Sequence, residues 1–198
     1  VLDPETLEHL QTYAFSEFGG MGYGENDVFV VAPGPAGRIV VEEQDQWIDA
    51  RLFNTTTGEY VPDGTIFVRE GGGDTDSTGR YYYHGDNNSS GATIQRYDLL
   101  GDTFTKLAEV RPEGINYGGS RTVVVSGDDS RVFWAKAVLD SELNSLWTTP
   151  EEIHSVTADG RYAFGADLIY DINRRLAVLG MPASTSVSAW NSTTNKLV

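Results

Sequence analysis

The stretch that most constrains this chain is residues 160–179, GRYAFGADLIYDINRRLAVL. An Asp159-Gly160 turn leads into a short alternating segment, residues 161–164. A second such segment, residues 167–170, ends on Asp171. A polar turn, residues 172–174, then feeds a third, residues 175–179. Alternation with period two sends successive side chains to opposite faces of a pleated sheet. The stretch is therefore a β-meander, and weaker copies of it run the length of the chain.

One landmark of each copy is a pair of apolar residues, then Asp or Asn, then a polar turn and another apolar stretch. It occurs at Val1-Leu2-Asp3, Leu52-Phe53-Asn54, Arg96-Tyr97-Asp98, Val138-Leu139-Asp140 and Ile169-Tyr170-Asp171, the third copy keeping one apolar position. An Asp or Asn placed so accepts a hydrogen bond from a backbone N–H two residues on and starts a tight turn. In TTTG, Gly58 supplies freedom where a positive φ is needed. A second landmark precedes the first: a polar turn and then alternating apolar residues. It reads GENDVFVV (24–31), DSTGRYYY (76–83), GDDSRVFW (127–134), TADGRYAF (157–164) and NSTTNKLV (191–198). A looser strand precedes that turn, as in RTVVVS (121–126), IHSV (153–156) and SVSAW (186–190). Each unit is thus strand, turn, strand, loop, strand, turn, strand, with β-branched and aromatic residues in the strands.

The landmark positions lie roughly 51, 44, 42 and 31 residues apart, close to one four-stranded propeller blade. The longest unit contains residues 33–49, PGPAGRIVVEEQDQWID, read as an insertion forming an extra hairpin or long loop. The last unit stops after its second strand, and the first begins at its third. Joined, the two ends make one meander. The expected fold is all-β: a five-bladed β-propeller of four-stranded antiparallel blades, one blade shared between the N- and C-termini. The intact blades are residues 17–64, 65–110, 111–150 and 151–182; the composite one is residues 1–16 plus 183–198. The rival reading is a piece of a larger ring. The N-terminus, VLDPETLEHL, is no signal or transit peptide and reads as the middle of a fold.

LFNTTTGEYV, and TADGRYAF followed by LIYD, resemble the YVTN and WD40-like β-propeller repeats. The turn–strand grammar covers nearly the whole chain, while the Gly-His and Trp-Asp pairs of the WD40 signature are missing. The resemblance implies four-stranded sheets arrayed about a central channel, with function carried by loops and the channel mouth.

A net charge of −15 argues against nucleic-acid phosphates, and against an anionic membrane, as partners. No run reaches the roughly 18 apolar residues of a membrane span. With no cysteine, disulfides, thiolate metal sites and a cysteine nucleophile are excluded. Four N-x-S/T sequons, at Asn54, Asn87, Asn88 and Asn191, fall in expected turns or loops and point toward an extracellular or periplasmic setting.

Asp74, Asp76 and Thr78 have the alternate spacing of a calcium loop, D-x-D-x-T-G, but the bidentate acid that should end it is replaced by Gly85. TADG and GDDS hold the same place in other copies, so a plain inter-strand turn is the favoured reading. Glu42-Glu43 and Asp128-Asp129 are paired acids, assigned to the insertion and to a turn. His9, His84 and His154 are scattered over three copies without metal-ligand spacing. The strands assigned as innermost offer Glu70, Glu151 or Glu152, Tyr23, Arg121, His154 and Trp190. No convergent acid set emerges from them. Gly71-Gly72-Gly73 lacks the Lys and the helix of a phosphate loop. Trp47, between acids in the insertion, is read either as an exposed anchor or as a packed cap.

The reading is therefore a non-catalytic binding or scaffold module for a protein or a glycan. Its candidate ligand-binding residues are Glu70, Arg121, His154 and Trp47. One alternative is a carbohydrate-active propeller enzyme using Glu70, Glu151 and His154. Another is a structural subunit of an extracellular assembly, pairing through the 33–49 insertion by strand addition. No cofactor is expected beyond the calcium candidate.

Overall fold

The computed structural model describes residues 28–43, 47–69, 71–86, 92–115, 122–180, 190–191 and 196–197. They form four antiparallel four-stranded sheets, each a meander in chain order. The first sheet holds β1 (Val28–Pro33), β2 (Arg38–Glu43), β3 (Trp47–Asn54) and β4 (Glu59–Arg69). The second holds β5 (Gly73–Thr75), β6 (Tyr81–Asp86), β7 (Thr93–Asp98) and β8 (Thr105–Val110). The third holds β9 (Val123–Val125), β10 (Val132–Trp134), β11 (Ala137–Leu139) and β12 (Ser145–Thr148). The fourth holds β13 (Ser155–Val156), β14 (Tyr162–Phe164), β15 (Leu168–Asp171) and β16 (Leu176–Gly180). A two-stranded ladder, β17 (Trp190–Asn191) with β18 (Lys196–Leu197), follows. Residues 1–27, and with them the N-terminal half of the expected composite blade, lie outside the described residues.

The first strands of the sheets stand side by side: β1 beside β5, β5 beside β9 and β9 beside β13. Between β5 and β9 the neighbours run parallel, through a bridge of Gly72 with Thr122 and a Val123 N–H to Gly72 carbonyl bond of 2.8 Å. The sheets are thus arrayed by their inner edges, in propeller-like fashion, and the apolar core is divided among the seams. Val40, Leu52, Tyr82 and Tyr97 fill the seam between sheets one and two. Tyr83, Ile94, Val132 and Trp134 fill the next. Phe133, Val138, Ala163 and Tyr170 fill the third. Fully burying one such aliphatic or aromatic side chain is worth about 1.5–3 kcal/mol. Stability therefore resides in the seams.

The landmark turns form as their chemistry dictates. Asn54 Oδ1 accepts from Thr56 N–H at 2.9 Å, Asp98 Oδ1 from Leu100 N–H at 2.9 Å and Asp140 Oδ1 from Glu142 N–H at 2.9 Å. Asp171 Oδ1 reaches one residue further, to Arg174 N–H at 3.0 Å. Gly58 has φ +74°, the left-handed conformation expected of it.

Residues 33–49 are not an insertion. They carry the reversal between the first two strands of sheet one, then β2 itself, then the start of β3. Ala36 (φ 53°) and Gly37 (φ 75°) make that reversal, and Val40 and Val41 of β2 are fully buried. The Pro-Gly-rich turn disguised an interior strand, and β2 has both edges paired, to β1 and β3. It offers no edge for strand addition. GENDVFVV correspondingly leads into the innermost strand of its sheet, not the second. β4 runs through residues 61–64 (VPDG) as an edge strand, where Pro is tolerated.

Candidate functional site

The first-to-second strand turn is built the same way in three sheets, at residues 76–81, 126–131 and 157–162. The first residue's N–H bonds the sixth residue's carbonyl: Asp76 to Tyr81 at 2.9 Å, Ser126 to Arg131 at 3.0 Å, Thr157 to Tyr162 at 2.9 Å. The fourth residue is left-handed in each: Gly79 at φ 69°, Asp129 at 59°, Gly160 at 60°. The first and third side chains bond each other: Thr78 Oγ1 to Asp76 Oδ2 at 2.5 Å, Ser126 Oγ to Asp128 Oδ1 at 2.7 Å, Thr157 Oγ1 to Asp159 Oδ1 at 2.6 Å. The first side chain also accepts the sixth N–H, in Asp76–Tyr81 (2.8 Å), Ser126–Arg131 (3.0 Å) and Thr157–Tyr162 (3.0 Å).

This network accounts for the calcium-like spacing. Sheet two carries Asp first and hydroxyl third; sheets three and four carry hydroxyl first and Asp third. The bonds are the same and only the acid has changed ends. Asp74 does not join Asp76 in a loop. Its Oδ2 accepts Val125 N–H of the next sheet at 2.9 Å, and its Oδ1 accepts Thr75 N–H at 2.8 Å. Among the described residues no cluster of three or more His, Asp or Glu could hold a metal ion.

The turns overlap from sheet to sheet. Asp129 accepts the Ser77 N–H and hydroxyl, both at 2.6 Å. Asp128 N–H donates to Ala158 carbonyl at 2.8 Å. A Cβ on Gly79 would lie 2.7 Å from the Gly34 carbonyl carbon, so the first sheet's turn abuts the second's. The outcome is a continuous polar rim at one end of the inner strands, with Ser77, Asp128, Ser130, Ala158 and Asp159 exposed. Burial opposes ionisation of Asp128, but bonds from Ser126 and Ser130, and the Arg131 charge, hold its carboxyl below the usual range. The Thr157 hydroxyl and Arg161 N–H do the same for Asp159. The rim therefore stays anionic.

A cleft of about 470 Å³ opens at the seam of sheets one and two. Ile66, Phe67, Val68 and Arg69 of β4 form one wall. Asp86, Gln95, Tyr97, Phe104 and Lys106 of sheet two form the other. Phe104 stands edge-on to the Tyr82 and Tyr97 rings, which fixes that wall. Beside the cleft, His84 and Glu42 face each other across the seam, both fully buried, with Nδ1 and Oε1 3.0 Å apart.

The described residues among those singled out in the sequence lie on different sheets. His154 is half-buried just before β13, and its N–H extends that ladder to Phe164 carbonyl at 2.9 Å. Trp47 opens β3 in register with Arg69. Glu70 and Arg121 lie outside the described residues. Glu151 faces a turn: it accepts Asp167 N–H (3.1 Å), Leu168 N–H (2.9 Å) and the Tyr170 hydroxyl (3.1 Å). Burial first, then Glu151, pushes the Tyr170 phenol above its ordinary range. Sequence reasoning missed the Glu42–His84 pair and the cleft. Only the register of the sheets brings those residues together.

No family model matches the chain, and no curated protein matches it in sequence. Among solved structures it is similar to Kuenenia stuttgartiensis hydrazine synthase, with a TM-score of 0.56 at 14% identity, over 80% of this chain and 49% of that one. It is also similar to a chain of a mitotic checkpoint complex, with a TM-score of 0.59 at 11% identity, over 83% of this chain and 53% of that one. The chain thus spans about half the length of these neighbours. Both are propeller-type folds, and at such identities the likeness carries the fold alone: an all-β, propeller-like array of four-stranded antiparallel sheets.

Proposed function

We propose that this chain is a non-catalytic, propeller-type binding module that recognises a protein partner. The observation that carries the reading is the rim of three bonded turns. It is rigid, anionic and exposed at one end of the inner strands, which suits a preorganised recognition surface. The described candidates for carboxylate chemistry support it too: Glu151 is spent on the 165–168 turn and Glu42 on a buried pair. That one similar structure belongs to a multi-protein checkpoint assembly favours a protein over a glycan as partner. We read the repeats as kin of the YVTN and WD40-like propellers, with a fifth blade completed from residues 1–16 and 183–198. The C-terminal β17–β18 ladder supports that completion as half a blade. An extracellular or periplasmic setting remains our reading from the sequons, of which Asn54 sits in a surface turn.

The test is affinity capture of a partner with the tagged chain. Its dissociation constant is then compared between wild type and Ala158→Arg/Ser130→Arg, which alters the rim without removing its backbone bonds. Loss of affinity by tenfold or more is expected. Turnover of a chromogenic glycoside that disappears in Glu151→Gln, with the fold intact by circular dichroism, would replace this reading with a carbohydrate-active one.

A further inference from the structure

We propose that Asn54 is the acceptor of an N-linked glycan, its side-chain amide joined to the anomeric carbon of a sugar. The inference rests on the extracellular or periplasmic reading and goes beyond it by naming the residue modified and the bond formed.

The fold separates the four sequons. Asn87 and Asn88 lie outside the described residues, and Asn191 lies in the β17–β18 ladder in register with Lys196. Asn54 closes β3 and is partly exposed, and Thr56, Thr57, Gly58 and Glu59 after it are exposed. A Cβ built on Gly58 would meet no heavy atom within 4 Å, so the turn opens onto free space. A bulky surface modification needs such room.

The turn asks Asn54 only for an acceptor. Its Oδ1 takes the Thr56 N–H at 2.9 Å and the Thr57 N–H at 3.2 Å. Asp98, Asp140 and Asp171 meet the same demand in the other sheets with a carboxylate. Asp98 gains an arginine as well, Arg80 at 2.8 Å. Arg38 stands opposite Asn54 in the β2–β3 ladder, so an aspartate there would face a cation too. The amide forgoes that, and among the described residues nothing bonds its Nδ2. Two residues after the three acids come Leu100, Glu142 and Asn173; two after Asn54 comes Thr56. The Thr56 hydroxyl is exposed and has no bond among the described residues. The turn uses neither the amide nitrogen nor this hydroxyl, and together they are what asparagine glycosylation requires.

The chemistry leaves the turn intact. Nδ2 bonds to C1 of an oligosaccharide carried on a lipid diphosphate. The C1–O bond to the diphosphate breaks, the lipid diphosphate leaves with the electron pair, and one Nδ2 proton passes to a base of the transferase. Oδ1 keeps its lone pairs, so the bonds from Thr56 and Thr57 survive. Thr55 N–H meets the Gly37 carbonyl at 3.0 Å, which sets this turn beside the first sheet's inner reversal. Gly34 of that reversal abuts Gly79, so the glycan borders the rim at its sheet-one end.

The experiment exports the full chain behind a cleavable secretory leader from cells that glycosylate asparagine. Peptide N-glycosidase in heavy-oxygen water then converts each occupied asparagine to a labelled aspartate, which mass spectrometry locates. Wild type is compared with Asn54→Asp and Thr56→Ala. The expected result is a label at Asn54 in most wild-type molecules and in neither variant. Asn54→Asp keeps the acceptor and should match the circular dichroism of wild type, which separates loss of the site from loss of the fold. An unlabelled Asn54 in the exported chain would overturn the proposal, whether or not Asn87, Asn88 or Asn191 is labelled. A label in Thr56→Ala equal to that of wild type would overturn it as well. The setting is read separately, by immunoblotting fractions of the cells that make the protein. Recovery from the cytosol would overturn the extracellular reading even where the exported chain is labelled at Asn54.

Discussion

His84 Nδ1 lies 3.0 Å from Glu42 Oε1, and neither side chain has any exposed surface. Both ring nitrogens face acceptors, since Nε2 is 2.8 Å from the Arg69 carbonyl oxygen. Both acceptors are satisfied at once only when each ring nitrogen carries a hydrogen, so this geometry favours the charged form of the ring. Burial pulls its pKa down, but the Glu42 charge and these bonds outweigh burial and raise it above 6.5. Glu42 Oε2 also takes the Gly73 N–H at 3.0 Å, which ties β2 to the inner strand of the next sheet.

Removing one partner strands a buried charge. Glu42→Gln is expected to cost about 3–5 kcal/mol, whereas a double replacement by apolar residues of similar volume costs much less. Urea unfolding of the two single variants and the double variant measures this. A raised histidine pKa stabilises the fold below the unfolded value near 6.5, and that contribution is lost as pH rises through the folded value. Wild type should therefore lose stability on the alkaline side, and the double variant should not.

Asp74 titrates in a different window. Burial, opposed by the Val125 and Thr75 N–H groups, pushes its pKa from 3.8 up to about 6. Between those values the folded state binds the proton that the unfolded state has released. Stability from this group is complete below the unfolded pKa and declines as pH rises toward 6, by about 3 kcal/mol. Asp74→Asn should flatten the stability profile between about pH 4 and 6. It should also cost roughly 1–3 kcal/mol, from an amide facing an N–H donor.

The exchanged acid in the inner turns predicts a rescue. Asp76→Ser removes the carboxylate that accepts the Thr78 hydroxyl, leaving a hydroxyl to take the Tyr81 N–H as Ser126 takes that of Arg131, and should destabilise by about 1 kcal/mol. Asp76→Ser/Thr78→Asp reproduces the arrangement of sheets three and four and should recover most of that loss. A positive coupling in the double-mutant cycle is the readout. Added calcium should leave the melting temperature of wild type unchanged.

Gly85 has no room for a side chain: a Cβ there would lie 2.0 Å from Trp134 Nε1. Trp134 is fully buried in the seam of sheets two and three. Gly85→Ala is expected to cost about 1–3 kcal/mol or more through overpacking. The same change at Gly114, where nothing lies within 4 Å, avoids the clash and meets only the cost of φ 75°. Chemical denaturation followed by tryptophan fluorescence compares the two.

Local chemistry was legible in the sequence and long-range registration was not. Asn54, Asp98 and Asp140 start turns through bonds two residues away, and Gly58 adopts its left-handed φ, because each outcome depends on a handful of neighbouring atoms. The first sheet was misphased since PGPAGR carries loop-like residues in a tight reversal, which hid β2 as an insertion. Glu42 and His84 lie 42 residues apart, and nothing in either neighbourhood names the other. The cleft is assembled from β4, β6, β7 and β8, strands of two sheets that meet only once those sheets have packed.

Three arginine contacts between sheets share one direction. Arg38 reaches Asp102 at 2.7 Å, Arg96 reaches Glu142 at 2.5 Å and Arg131 reaches Asn173 at 2.6 Å. Each arginine belongs to the earlier sheet, and each acceptor to the third-to-fourth strand turn of the later one. Loss of an early sheet therefore releases the outer turn of its successor, while loss of a late sheet leaves its predecessor's own turn held. Amide hydrogen exchange should register this as a one-way order of protection, with each outer turn opening in step with the sheet before it.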